Sequence, residues 1–133
     1  MQQEMKYPTE VTLIGASGLV GHELLLILSH LEQISHIKAI SRSPLGRLHG
    51  NGKAENLILD FNKLEDHAEA LKASVFVCCL GTTIAKAGSQ EAFKQVDYEY
   101  VMKFARIAEK CGAQKFLVTV SYTHLRAHET SLH

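Results

Sequence analysis

An apolar run that ends in three glycines, spaced three residues apart, stands near the start of this 133-residue sequence. Gly15 can adopt backbone angles that are closed to other residues, and Gly18 has no side chain to hold a pyrophosphate away from backbone N–H groups. Gly21 falls within a segment of helix-forming residues, where the missing Cβ lets the helix pack closely on the strand beneath it. The pattern predicts a strand, a phosphate-binding turn and a helix N-terminus that attracts an anion.

Glycines between a strand and a helix can also form a turn that binds nothing. Here the strand before the glycines and the helix after them are both present, as a dinucleotide-binding motif requires. The sequence therefore favours dinucleotide binding over a plain turn.

The composition bounds the partners of this chain. Lys and Arg number 14, as do Asp and Glu, so no basic excess suggests a nucleic acid. The first residues contain no apolar signal core, and no later apolar run is long enough to cross a bilayer. We therefore expect a cytoplasmic protein that binds neither nucleic acid nor membrane. The spacing of Cys78, Cys79 and Cys111 fits neither a disulfide framework nor a zinc site, which predicts ordinary thiols.

Hydrophobic periodicity predicts five strands that alternate with helices. The strands after the first are expected at residues 36–41, 56–60, 74–80 and 115–120, and the helices at about 19–31, 63–72 and 89–110. Gly112 stands where a C-cap glycine belongs. Right-handed crossovers then give an α/β fold with a Rossmann-like doubly wound parallel sheet, in the order 3-2-1-4-5. The apolar fourth strand is expected near the centre of the sheet.

Ligands of such sheets bind at the carboxyl ends of the strands, where the order reverses between strands one and four. Arg42 follows the second strand, where an NAD-specific site would place Asp or Glu, and it can pair with a 2′-phosphate. We therefore predict NADP as the cofactor rather than NAD, although Arg42 can also be read as a solvated loop cation. Asp60 either lies near the adenine amino group or caps the following helix. Gly81 lets the backbone pass close to the nicotinamide ribose, and Thr82 and the next threonine supply hydroxyls.

With these residues the chain resembles the atypical, extended short-chain dehydrogenases/reductases, and most closely their Tat-interactive-protein-like branch of NAD(P)-binding oxidoreductases. The resemblance covers about residues 11–121 and is most specific at residues 78–83, 87–93 and 96–98. It implies a Rossmann-like fold, an NADP-type cofactor and, in complete members, hydride transfer to a carbonyl-type substrate. The expected cofactor-binding residues, with the third glycine included, are Gly15, Ser17, Gly18, Leu19, Val20, Gly21, Arg42, Asp60, Phe61, Leu80, Gly81 and Thr82.

The sequence departs from such reductases after the fifth strand. These enzymes carry a serine there and then a Tyr-x-x-x-Lys pair, whose lysine lowers the pKa of the tyrosine. Ser121 stands at the serine position as a candidate remnant, but Tyr122 comes too early and Arg126 cannot lend a proton. Tyr98 lacks a lysine at the required helical spacing. We therefore expect no catalytic residues in this chain.

Residues 121–133 also differ in composition from the rest, with three of the chain's 8 histidines. They resemble adapter read-through in assembled environmental sequences. We expect residues 1–120 to form the NAD(P)-binding domain and residues 121–133 to be a non-native tail, with the sixth and seventh strands missing. His124 and His128 could share a helix face, but no third ligand is spaced to complete a metal site.

Two functions of different classes fit these patterns. The chain is expected to be the cofactor-binding part of an NADP-dependent oxidoreductase, which binds the cofactor without turnover and leaves the small-molecule substrate unidentified. The alternative is a non-enzymatic NADP(H)-sensing regulatory module. With later strands absent, strand five forms an uncovered apolar edge, which predicts self-association.

Overall fold

The fold is a single parallel sheet with helices on both faces. The computed structural model describes residues 9–46, 51–79 and 90–119. Along the chain the elements are β1 (Thr9–Ile14), α1 (Leu19–Ser29), β2 (Ile34–Ser41), β3 (Ala54–Ile58), a 3-10 helix (Phe61–His67), α2 (Ala68–Leu71), β4 (Val75–Cys78), α3 (Gln90–Lys110) and β5 (Lys115–Val118). All four strand pairings are parallel, in the order β3-β2-β1-β4-β5. The predicted fold class and strand order are confirmed.

The two faces of the sheet bury separate apolar clusters. Under α1, the cluster includes Leu13, Leu25 and Ile37. On the opposite face, α3 and the 3-10 helix cover a second cluster, in which the rings of Phe76 and Phe104 lie 5.0 Å apart. Because β4 is buried on both faces and lies between β1 and β5, its predicted central position is confirmed.

The segment predicted as one helix over residues 63–72 is a 3-10 helix followed by a single turn of α-helix. The carboxylate Oδ1 of Asp60 accepts a hydrogen bond from the backbone N–H of Asn62 at 3.0 Å, so the helical segment begins earlier than predicted. Lys63 then has non-helical backbone angles, which interrupt the regular helix. Asp60 therefore acts as a helix cap, one of its two predicted roles.

At the end of α3, Gly112 has a φ of +74° and follows the helix as predicted. The backbone N–H of Ala113 donates to the carbonyl of Ala108 at 3.0 Å, which closes the helix end. Within the described residues, no helix combines the length and apolar character needed to cross a membrane.

Candidate functional site

The glycine turn, residues 15–21, connects β1 to α1 at the carboxyl edge of the sheet. Gly15 has a φ of +99°, in the left-handed region that favours glycine. The N–H of Gly18 donates to the carbonyl of Gly15 at 3.1 Å and closes the turn. A Cβ on Gly21 would lie 2.0 Å from the Gly15 carbonyl oxygen. Close packing therefore requires a glycine at position 21. The atoms that Gly21 approaches belong to the turn itself, whereas the sequence predicted close packing on the strand beneath the helix.

The start of α1 presents backbone donors to solvent. The first helical hydrogen bond runs from the N–H of His22 to the carbonyl of Gly18, so the N–H groups of Leu19 and Val20 have no acceptor within the helix. The N-cap residue Gly18 supplies no side-chain cap, and the first turn contains no acidic residue. Leu19 is 81% exposed. This helix end can therefore accept an anion, with an apolar side chain beside it.

A cleft of about 290 Å³ separates the glycine turn from the loop after β2. Residues that line it include Ser17, His22, Ser41, Arg42, Ser43 and Leu45. The fold thus brings together two parts of the predicted site that lie more than twenty residues apart in sequence. The lining includes the guanidinium of Arg42, and the described lining contains no carboxylate. Its chemistry suits a phosphate bearing several acceptor oxygens.

Arg42 is held against an aromatic ring at this edge. Its guanidinium carbon lies 5.3 Å from the ring centroid of Phe61, within the range of a cation–π contact. Phe61 is buried, and its ring meets that of Tyr100 edge to face at 5.4 Å. Phe61 was predicted to lie beside the adenine and ribose, whereas the structure places its ring beneath Arg42 as part of the core.

The remaining predicted residues fall into two groups. Asp60 is exposed at the end of β3 and caps the 3-10 helix, outside the cleft lining. The residues of the loop after β4 and of the tail lie outside the described part of the chain, including Leu80, Gly81, Thr82, Ser121, His124 and His128.

Two residues of this edge were not predicted from the sequence. His22 lines the cleft, and its spacing of four residues after Gly18 places it on the same helix face, a signal that was available. Asn56 of β3 hydrogen-bonds to the loop that carries Arg42. No local pattern indicates this second residue, because its partners are 11 and 15 residues away in sequence.

Cys79 lies directly after β4, where its backbone N–H extends the ladder to Ile14. Burial raises the pKa of the Cys79 thiol, and a hydrogen bond with the side chain of Thr119 partly opposes that rise. The thiol is therefore held protonated near neutral pH, which suits an ordinary thiol rather than a nucleophile. Cys78, Cys79 and Cys111 form no disulfide bonds.

Comparison with curated proteins gives relatives over most of this chain. It is 36% identical to Protein HTATIP2 of Rattus norvegicus over 110 residues, covering 80% of this chain and 44% of that protein. It is 30% identical to mitochondrial Protein FMP52 of Debaryomyces hansenii over 122 residues, covering 90% and 52%. The chain thus spans about half the length of the curated relatives it matches. No family model matches the sequence.

Solved structures show the same fold at low identity. ADP-L-glycero-D-manno-heptose-6-epimerase of Helicobacter pylori superposes with a TM-score of 0.69 at 17% identity, covering 88% of this chain and 40% of the epimerase. A short chain dehydrogenase of Leptospira borgpetersenii with bound NAD+ gives 0.58 at 12% identity, covering 88% and 53%. Together with the sequence relatives, these likenesses confirm the predicted resemblance and the Rossmann-like fold.

The expectation of a cytoplasmic location is wrong. Several fungal relatives, from Debaryomyces hansenii, Candida albicans and Emericella nidulans, are named mitochondrial proteins. The expectation rested on a missing apolar signal core, which argues only against secretion, since mitochondrial targeting segments are amphipathic and rich in arginine.

Proposed function

We propose that this chain, as a relative of HTATIP2 and the FMP52 proteins, binds a nicotinamide dinucleotide at the carboxyl edge of its sheet and prefers NADP to NAD. The observation that carries the proposal is the cleft between the glycine turn and Arg42, which has the Arg42 guanidinium and hydroxyls and no carboxylate in its described lining. An NAD site would place a carboxylate against the ribose hydroxyls at this position.

Different residues of the edge would bind different parts of the dinucleotide. The N–H groups of Leu19 and Val20, which have no acceptor within the helix, would hold the pyrophosphate together with the helix dipole. Arg42 and the hydroxyl of Ser43 would hold the 2′-phosphate of the adenosine ribose. The exposed side chain of Leu19 would cover part of the cofactor. Six of the predicted residues take part in this arrangement. Leu19, Val20 and Arg42 would contact the cofactor, and Gly15, Gly18 and Gly21 shape the turn.

The bound cofactor would supply a hydride donor or acceptor, and the complete relatives would direct it to a carbonyl-type substrate. This chain contributes the cofactor-binding part. After the fifth strand its sequence has Tyr122 followed four residues later by Arg126 rather than lysine, so we expect binding without turnover.

Isothermal titration calorimetry of the purified chain with NADP+ and with NAD+ tests the proposal. We expect both to bind and NADP+ to bind more tightly, because only NADP+ offers a phosphate to Arg42. A chain that is folded by circular dichroism and binds neither cofactor would contradict dinucleotide binding. Tighter binding of NAD+ would contradict the preference alone.

A further inference from the structure

We propose that Asn56 is a positioning residue that sets the preference for NADP by fixing the loop that carries Arg42. The inference rests on the proposed function, because it concerns the choice between the two dinucleotides. It assigns a role to a β3 side chain that lies outside the described cleft lining.

The Asn56 side chain connects β2 to both ends of the arginine loop, residues 41–45. Its Nδ2 donates to the carbonyl of Ala39 at 2.8 Å and to the hydroxyl of Ser41 at 3.0 Å. Its Oδ1 accepts a hydrogen bond from the N–H of Leu45 at 3.1 Å. Because β2 and β3 pair with Ala39 opposite Asn56, the sheet register places this amide beside the loop.

The loop has further internal anchors. The buried Ser41 donates its hydroxyl hydrogen to the carbonyl of Ser43 at 2.7 Å. The carbonyl of Ser41 accepts a hydrogen bond from the N–H of Leu59 at 2.9 Å. Arg42 thus lies between fixed points on both sides, with its guanidinium against the Phe61 ring.

This arrangement affects one dinucleotide more than the other. A long arginine side chain loses rotamer freedom when it pairs with a phosphate, and a preformed loop lowers that entropic cost. Only NADP carries the 2′-phosphate, so the benefit of the preformed loop falls on NADP. Loss of the anchor should therefore reduce NADP affinity more than NAD affinity.

An amide of this length suits the position. It offers two N–H donors and an acceptor, and the structure uses all three. Leucine has a similar size and makes none of these bonds, so Asn56→Leu removes the anchor without adding a charge near the phosphate.

The test measures dissociation constants for NADP+ and NAD+ by calorimetry in wild type, N56L, R42Q and the double variant. We expect N56L to lower the preference for NADP+ about tenfold, as the loss of one to two net hydrogen bonds predicts. In the R42Q background, N56L should change the preference no further, because Asn56 acts through Arg42.

A matched control separates positioning from general destabilisation. Thr12→Val removes a buried hydrogen bond of 2.6 Å to the carbonyl of Leu71, on a central strand away from the arginine loop. It should lower stability and leave the preference for NADP+ unchanged. If N56L does not fold, Ser41→Ala, which removes the bridging hydroxyl, should lower the preference in the same direction.

The outcomes are distinct. A wild-type chain that binds neither cofactor overturns the proposed function and the inference with it. The inference alone is overturned if the wild-type chain prefers NADP+ and N56L does not change that preference. It is also overturned if N56L lowers the preference by the same factor in the R42Q background as in the wild-type background. An unchanged preference in S41A overturns it where N56L is unfolded.

Discussion

Arg42 extends from the loop after β2, with its guanidinium against a buried ring and the cleft in front of it. Arg42→Gln should weaken NADP+ binding by about 10- to 100-fold, the effect of losing a charge-assisted hydrogen bond. NAD+ binding should change little, because NAD+ lacks the 2′-phosphate.

Calorimetry checks this prediction, with Arg106→Gln as the matched control. Arg106 is an exposed residue of α3 that is not part of the cleft lining, and its replacement removes the same charge. An equal loss of NAD+ affinity in R42Q would show that Arg42 does not read the phosphate.

The raised pKa of the Cys79 thiol predicts how the stability of the fold depends on pH. In the unfolded chain this thiol ionises at a lower pH than in the folded chain. Between the two pKa values, the folded chain therefore binds more protons than the unfolded chain. The free energy of unfolding should therefore fall as pH rises through about 8.5, the ordinary thiol pKa.

Urea unfolding over a pH series, in wild type and in Cys79→Ala, measures this effect. The decline should be smaller in C79A, since the variant lacks the titrating group. Identical pH profiles would mean that burial does not hold the Cys79 proton.

Helix α1 packs on the glycine turn at the distance that Gly21 sets. Gly21→Ala would place a Cβ 2.0 Å from the Gly15 carbonyl oxygen, so the helix must shift. We expect a destabilisation of about 1–3 kcal/mol, typical of overpacking.

Thermal unfolding followed by circular dichroism checks the loss. Gly46→Ala is the control, because a Cβ on Gly46 would meet no atom within 4 Å. Equal melting temperatures for G21A and wild type would show that α1 can move away from the turn freely.

The elements were predictable where the signal was local or where apolar residues marked a buried strand. β5 begins at Lys115 and α3 ends at Lys110, as predicted. β3 begins two residues early, because its pairing with Ile37 of β2 sets its start. The 3-10 helix was not predicted, since it depends on the Asp60 cap and the angles of Lys63.

The residues of the candidate site were likewise predictable from sequence only where their signal was local. The glycine turn and Arg42 were identified from sequence, because backbone freedom and charge have local signals. Asn56 was missed, since its contacts with the arginine loop exist only through the register of β2 with β3. The burial of Phe61 under Arg42 is likewise a tertiary contact that no sequence spacing predicts.

The described sheet ends at β5, where two large apolar side chains face solvent. Leu117 is 52% exposed and Val118 is 43% exposed. We expect the purified chain to associate with itself through this edge, because an unpaired apolar strand can pair with another. Leu117→Lys should weaken that association.

Sedimentation velocity at several protein concentrations measures the association. Gln114→Lys is the matched control, because it adds the same charge at an exposed position just before β5 without removing apolar surface. A wild-type chain that sediments as a monomer throughout would contradict the prediction.

The central place of β1 has a consequence for biosynthesis. β1 is flanked by β2 and β4, and β4 is made only after β2 and β3. During translation, the hydrogen-bonding groups on one edge of β1 therefore stay unpaired until β4 has been synthesised, after most of the domain. Nascent chains of this topology depend on distant contacts, which slows folding and lengthens the interval in which chaperones can bind.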